Sequence, residues 1–258
     1  MVDIMFAPFL ERMAASLLFF KGFQIRVVKG ESTMYPNVNK WFDAMESTEG
    51  YTVTKSDYYT HCWDLPPQLG GCTYEPDGEP YENAINGVRS ILDDSRGSWE
   101  LPLEPNNGGL EPDWNDFLNN MDEHAAKREA VERLSFNHDG IVIFASRGAG
   151  KKGMPPVMAA LSDPNAAPNE AVLSSVDAVL RIVCLALLDG TQEQSTIALM
   201  KELARSIRME GGEVHQENVV KSIAYLRDRI GVPRDMRLPA ARQLRAHLNW
   251  ALSFILDE

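Results

Sequence analysis

The segment of this chain that is richest in reactive side chains runs from Tyr58 to Asp64. It places His61 next to Cys62, and these side chain types can act as base and nucleophile in covalent catalysis. Neighbours in sequence do not face each other on a helix, so the two are poorly placed to exchange a proton. We therefore predict packed structure here, with a contribution to a ligand pocket as the alternative. The pocket candidates are Tyr58, Tyr59, His61 and Trp63.

Metal chemistry is not predicted. His61 and Cys62, taken with Cys72, match no standard zinc spacing. The remaining histidines have no mutual spacing that indicates a metal site.

A second stretch, residues 140–152, imitates a phosphate-binding loop. Residues 140–144 have the composition of a buried strand, and a glycine-rich turn with lysines follows. The phosphate loop requires Gly at its first position and Ser or Thr at its last. This chain has Ala145 and Lys152 there. Nucleotide binding is therefore a remote alternative, and the favoured prediction is a helix end followed by a basic loop.

Arginines are concentrated near the end of the chain, where guanidinium groups could hold an anionic ligand through paired hydrogen bonds. The stronger expectation is that they pair with acidic side chains and cap helix C-termini. The six are Arg227, Arg229, Arg234, Arg237, Arg242 and Arg245.

The composition excludes several classes of protein. The chain has 258 residues and a formal net charge of −12, which disfavours binding to nucleic acid or anionic membranes. Three cysteines are too few for a disulfide scaffold and fit a reducing, intracellular compartment. The densest apolar run, residues 178–188, is shorter than the about 20 residues of a membrane span.

Apolar side chains recur at helical spacing through most of the chain, and strand patterns are scarce. The predicted fold class is therefore all-α. The predicted helices are 1–20, one starting at Pro36, 54–61, 79–94, a short one at 114–120, 123–145, 169–189, 194–210, 216–230 and 239–257.

The first helix resembles the buried sixth helix of glutathione S-transferases. In that family a capping box ending in Asp opens the helix, and Ala-Pro follows; here these are Asp3, Ala7 and Pro8. The Ser or Thr of the box would stand before Met1, so we expect that an upstream segment is missing. The next family helix has a Pro before a Trp-containing stretch, which matches Pro36 and Trp41.

Segments 55–61, 64–72 and 225–236 resemble one subgroup of the family, the plant and algal plastid-type proteins. The resemblance implies three parts: later helices of the transferase C-terminal domain over 1–95, a linker with a short helix over 96–122, and a helical extension over 123–258. It implies chloroplast or cytoplasm as the location. Its structural residues would be Asp3, Pro8, Trp41, Pro233 and Arg234.

The family's thioredoxin-like domain, which activates the glutathione thiol, is absent from the sequence. The resemblance therefore assigns no catalytic residue and no cofactor to this chain, although the full-length family protein would use glutathione. Without that domain, the first helix would present Phe6, Phe9, Phe19 and Phe20 to a protein partner or to the missing domain. The alternative function is a non-enzymatic helical scaffold.

Overall fold

The protein is all-α, as predicted. A computed structural model describes residues 2–27, 32–69, 73, 75–81, 101, 103, 122–151 and 166–257. The helices are α1 (Val2–Lys21), α2 (Pro36–Glu46), α3 (Glu49–Thr52), α4 (Tyr58–Leu69), α5 (Glu123–Phe136), α6 (His138–Ala145), α7 (Leu173–Asp189), α8 (Gln194–Arg229) and α9 (Leu238–Asp257). The predicted helix at 114–120, nearly all of 79–94 and of the linker 96–122, and Cys72 lie outside the described residues.

The larger hydrophobic cluster surrounds α7, whose Val176, Val179 and Val183 are fully buried. Helices α5, α8 and α9 pack around it and contribute Ala130, Ile223 and Leu248, among others. The apolar side chains of α7 recur at helical spacing because they are buried against several neighbouring helices.

One described segment, the 20 residues Glu170–Asp189, is long and apolar enough to cross a membrane: an 18-residue window within it has a mean hydropathy of 2.1. The predicted apolar run within it was shorter. This segment contains α7, and the core helix of a globular protein has the same composition. Because α7 is packed inside the larger cluster, its composition is accounted for without a membrane, and the segment is no clear membrane span.

The sequence predicted one continuous helix over 123–145, but the structure has two, α5 and α6. Asn137 leaves the helical region, with φ −136° and ψ 49°, and separates α5 from α6. A Cβ on Gly140 would lie 2.5 Å from the Asn137 side chain, so the bend and the glycine occur together. The segment 140–144, which has the composition of a strand, is helical and lies in α6.

Helix α8 is broken where the sequence predicted a gap between two helices. Gly211 and Gly212 have non-helical backbone angles, and Gly212 has φ 64° and ψ −159°. That region is populated essentially by glycine alone. The Gly-Gly pair therefore divides α8 into segments 194–210 and 213–229.

The smaller cluster joins α1 to α4. Phe19 and Phe20 lie in it and are 2% and 5% exposed, so the prediction that they face a partner is wrong. A short 3-10 turn, Pro76–Gly78, covers this end of α1: the Glu75 amide donates to the Phe20 carbonyl at 2.8 Å. Gly22 follows with φ 64°, and a Cβ there would collide with the Asp77 carbonyl.

The five residues to which the resemblance assigns a structural role lie in or next to α1, α2 and the end of α8. The indole N–H of Trp41 donates to Asp3 at 2.9 Å, which ties α2 to the first turn of α1. Pro8 lies inside α1, which continues through it. After α8, Pro233 precedes Arg234, whose guanidinium donates to the Arg229 carbonyl at 3.0 Å and so caps the C-terminus of α8 as expected.

The short helix predicted over 54–61 differs from the structure. A four-residue helix, α3, ends at Thr52, and α4 begins at Tyr58 and runs through Pro66 and Pro67. The Asp57 carboxylate accepts from the Thr60 amide at 3.2 Å, which is the geometry of an N-cap for α4.

Candidate functional site

The four pocket candidates lie on the first turns of α4, and three of them, Tyr58, Tyr59 and Trp63, pack in or against the smaller cluster. Tyr58 and Tyr59 are buried, and Trp63 packs against the cluster beside Tyr59, with 6.0 Å between ring centroids. Tyr58 meets Phe19 edge to face at 6.4 Å. These aromatic side chains therefore hold α4 against α1.

His61 and Cys62 point to different neighbours. The His61 Nε2 lies 3.5 Å from a Glu11 carboxylate oxygen on α1. The Cys62 thiol is 1% exposed and donates to the Ala15 carbonyl at 3.9 Å. Because the sulfur is buried and directed at a backbone carbonyl, a substrate could not reach it in this arrangement.

Tyr58 and His61 do line a cavity, but a very small one. Its volume is about 30 Å³, and its wall includes Glu11, Glu46 and Tyr51. A cavity of this size accommodates about one or two water molecules, not an organic substrate. Burial, assisted by the carboxylate of Glu11, raises the pKa of the Tyr51 phenol above its ordinary value. Tyr51 is thus a neutral hydrogen-bonding group, not a base.

Tyr59 belongs to a buried polar network that connects α4 to the end of the chain. Its hydroxyl donates to Asp228 on α8 at 2.7 Å. Burial and the Asp228 charge raise the pKa of Tyr59. Arg245 on α9 lies over the Tyr59 ring, 4.3 Å from its centroid. The network therefore joins α4 to α8 and α9.

The centre of this network is an ion pair that sequence reasoning missed. The Arg245 guanidinium donates to Asp57 at 2.6 Å, and both side chains are fully buried. Arg245 also donates to the Ile230 carbonyl at 2.7 Å and to the Thr60 hydroxyl at 3.2 Å. The only sequence signal was the capping position of Asp57, because its partner is 188 residues away.

The main exposed feature of the N-terminal helices is an apolar surface on the first half of α1, which we call the α1 face. Its members share exposures of 47% to 72%, and they are Val2, Ile4, Met5, Phe6, Phe9 and Met13. Five of them, at positions 2, 5, 6, 9 and 13, lie on one side of the helix, and Ile4 is exposed on the opposite side. Large exposed apolar patches mark interaction sites in many proteins.

The geometry includes no assembled catalytic centre or metal centre among the residues that the structure describes. No group of three or more His, Cys, Asp or Glu side chains there could hold a metal ion. No family model matches the chain. No solved structure matches it either.

Proposed function

We propose that this chain is the C-terminal helical part of a glutathione S-transferase-like protein, and that the α1 face docks the family's thioredoxin-like domain. The observation that carries the proposal is the exposure of the α1 face, where Phe6 and Phe9 are 57% and 69% exposed. In this proposal the chain supplies structure and a docking surface, and the docked domain supplies the glutathione site.

The contact between Asp3 and Trp41 supports the same proposal. These two residues carry much of the sequence resemblance, and a hydrogen bond joins them. That bond lowers the pKa of Asp3, because the Trp41 indole N–H donates to the ionised form of the carboxylate. A first-turn aspartate that fixes the next helix fits the folding role that the resemblance assigns to it.

If this proposal is correct, the isolated chain should not catalyse the glutathione reaction. Tyr58 and Tyr59 are packed in the smaller cluster, Tyr59 also donates a hydrogen bond to Asp228, and the cavity beside Tyr58 and His61 is only about 30 Å³. In the intact protein, glutathione would be the cofactor, and chloroplast or cytoplasm would be the location. A thiolate would attack an electrophile or exchange with a disulfide.

The first test is to sequence the 5′ end of the transcript. We expect an upstream reading frame that encodes a thioredoxin-like domain and places Ser or Thr immediately before Met1. The longer protein should conjugate glutathione to chlorodinitrobenzene, and the present chain should not. An in-frame stop codon just upstream of Met1, or conjugation by the present chain alone, would contradict the proposal.

The second candidate is a helical scaffold, and the α1 face favours it equally if Met1 is the natural start. In that case two copies should associate through this face. Sedimentation velocity of the chain should show dimers that are lost in Phe6→Ser/Phe9→Ser. The matched control is Phe136→Ser, because Phe136 is 93% exposed and lies on α5. The scaffold function would be rejected if the wild-type chain were monomeric or if dimers persisted in the double variant.

The remote alternative, a phosphate loop, has little support. A working loop follows a β-strand, whereas residues 138–145 form α6 and a 3-10 turn follows at Ser146–Ala149. Lys151 instead pairs by backbone with Ala167 in an isolated antiparallel bridge. Lys152 lies outside the described residues.

A further inference from the structure

Most of the clustered arginines near the end of the chain do pair with carboxylates, as the stronger expectation held. Arg227 pairs with Asp228, Arg234 with Asp235, Arg237 with Glu129 and Arg245 with Asp57. Arg229 differs from these four. Within the described part of the chain it has no ion pair, and its guanidinium lies over the Tyr225 ring at 5.0 Å.

Arg229 lines a groove that is bounded by α5, α6, the end of α8 and the start of α9. The volume of this groove is about 740 Å³. Small-molecule sites in proteins typically have volumes of about 300 to 1,000 Å³. Apolar side chains form much of its wall: Ile141, Ile143, Phe144, Leu226, Met236 and Leu244.

Two further arginines, Arg133 and Arg147, line the same groove without an ion pair among the described residues. The Arg147 guanidinium lies 5.8 Å from the Phe144 ring centroid, and its Nε is buried without a hydrogen-bond partner there. The acidic side chain in the wall is Asp235, which Arg234 already engages at 2.7 Å. In a chain of net charge −12, three guanidinium groups that make no ion pair with any described residue lie in one groove, where they create a local positive potential.

We propose that this groove binds a small amphipathic organic anion, with its oxyanion head at Arg133, Arg147 and Arg229 and its apolar body along the wall. Guanidinium groups match oxyanions through paired, charge-assisted hydrogen bonds. Aromatic contacts hold two of the three guanidinium groups in place, which reduces the entropy lost on binding. The site is independent of the α1 face and of the proposed domain docking.

The test uses a matched pair of fluorescent probes on the full chain. Anilinonaphthalene sulfonate is an amphipathic anion, and phenylnaphthylamine has the same ring system without the sulfonate. The background variant Phe6→Ser/Phe9→Ser removes probe binding to the α1 face. In that background the anionic probe should bind saturably and more tightly than the neutral one.

Arginine substitutions then separate charge from apolar contact. Replacement by Arg133→Gln/Arg229→Gln should weaken the anionic probe by about tenfold or more, since each lost charged contact is worth about that factor. The neutral probe should be unaffected. Arg208→Gln is the control, because Arg208 is exposed and does not line the groove.

Salt gives a test that needs no arginine variant. High ionic strength should weaken binding of the anionic probe and leave the neutral probe unchanged, because exposed charges are screened. The proposal is overturned if the two probes bind equally at low salt. It is also overturned if the double arginine variant, shown by circular dichroism to be folded, binds the anionic probe as tightly as Arg208→Gln does.

Discussion

Replacing Asp57 by alanine should destabilise the protein more than almost any other single polar substitution. The Asp57 carboxylate accepts from Arg245 at 2.6 Å and from the amide and hydroxyl of Thr60. Both charged side chains are fully buried. Removing the carboxylate takes away this charged acceptor and leaves the guanidinium buried, with the neutral Ile230 carbonyl and Thr60 hydroxyl still among its acceptors.

The expected loss follows from this geometry. Breaking a buried ion pair by removing one partner costs about 3–5 kcal/mol. Loss of an N-cap costs about 1 kcal/mol. Native domains are stable by only about 5–15 kcal/mol, so Asp57→Ala should remove a large part of the free energy of unfolding.

The assay is urea unfolding at neutral pH, followed by far-ultraviolet circular dichroism, on a double-mutant cycle. Asp57→Ala/Arg245→Met should lose clearly less than the sum of the two single variants, because no uncompensated charge is left buried. Glu217→Ala is the control: Glu217 is 60% exposed and pairs with Lys221 one helical turn away, so its loss should cost about 0.5 kcal/mol or less. A cost below about 1 kcal/mol for Asp57→Ala, or additive losses, would refute the reasoning.

Three further predictions concern the protonation of a buried histidine, the burial of phenylalanines and the backbone conformation at glycines. Burial lowers the pKa of His247 from 6.5 to about 4, so its contribution is complete above pH 6.5 and falls by about 3 kcal/mol towards pH 4. His247→Gln should flatten that part of the pH–stability profile; an unchanged slope would contradict this. Phe19→Ala should cost about 3–5 kcal/mol and Phe6→Ala about 0.5 kcal/mol or less, and equal melting temperatures would contradict the burial difference. Gly212→Ala should cost about 1–3 kcal/mol because of its positive φ, whereas Gly50→Ala in α3, with open space around its Cβ, should be neutral or stabilising by thermal unfolding.

The positions of most helices were accessible from the sequence because their signals are local. Pro36 stands at the first position of α2, and Gly211 and Gly212 interrupt α8 between the two helices that apolar spacing predicted. The break between α5 and α6 was missed. Asn137 leaves the helical region there, and asparagine is tolerated inside many helices, so its type alone did not place the break.

The candidate site was less accessible. From the apolar spacing on α1, Phe6 and Phe20 were both predicted to face a partner, yet Phe6 is 57% exposed and Phe20 is 5% exposed. The difference arises because the turn at Pro76–Gly78 folds back over one end of the helix. A contact between segments more than fifty residues apart leaves no trace in the spacing of α1.

The sequence by itself determined the all-α class, the helix and break positions with local signals, and the clustering of basic residues near the end of the chain. Only the tertiary structure decided which arginines are neutralised. Arg245 meets Asp57 across 188 residues, while Arg229 meets no carboxylate in the described structure and opens into the groove. Helix periodicity depends on neighbours three and four residues apart, but charge pairing depends on which distant surfaces come into contact. The physical difference between a structural arginine and a binding arginine therefore appears only when the helices are packed.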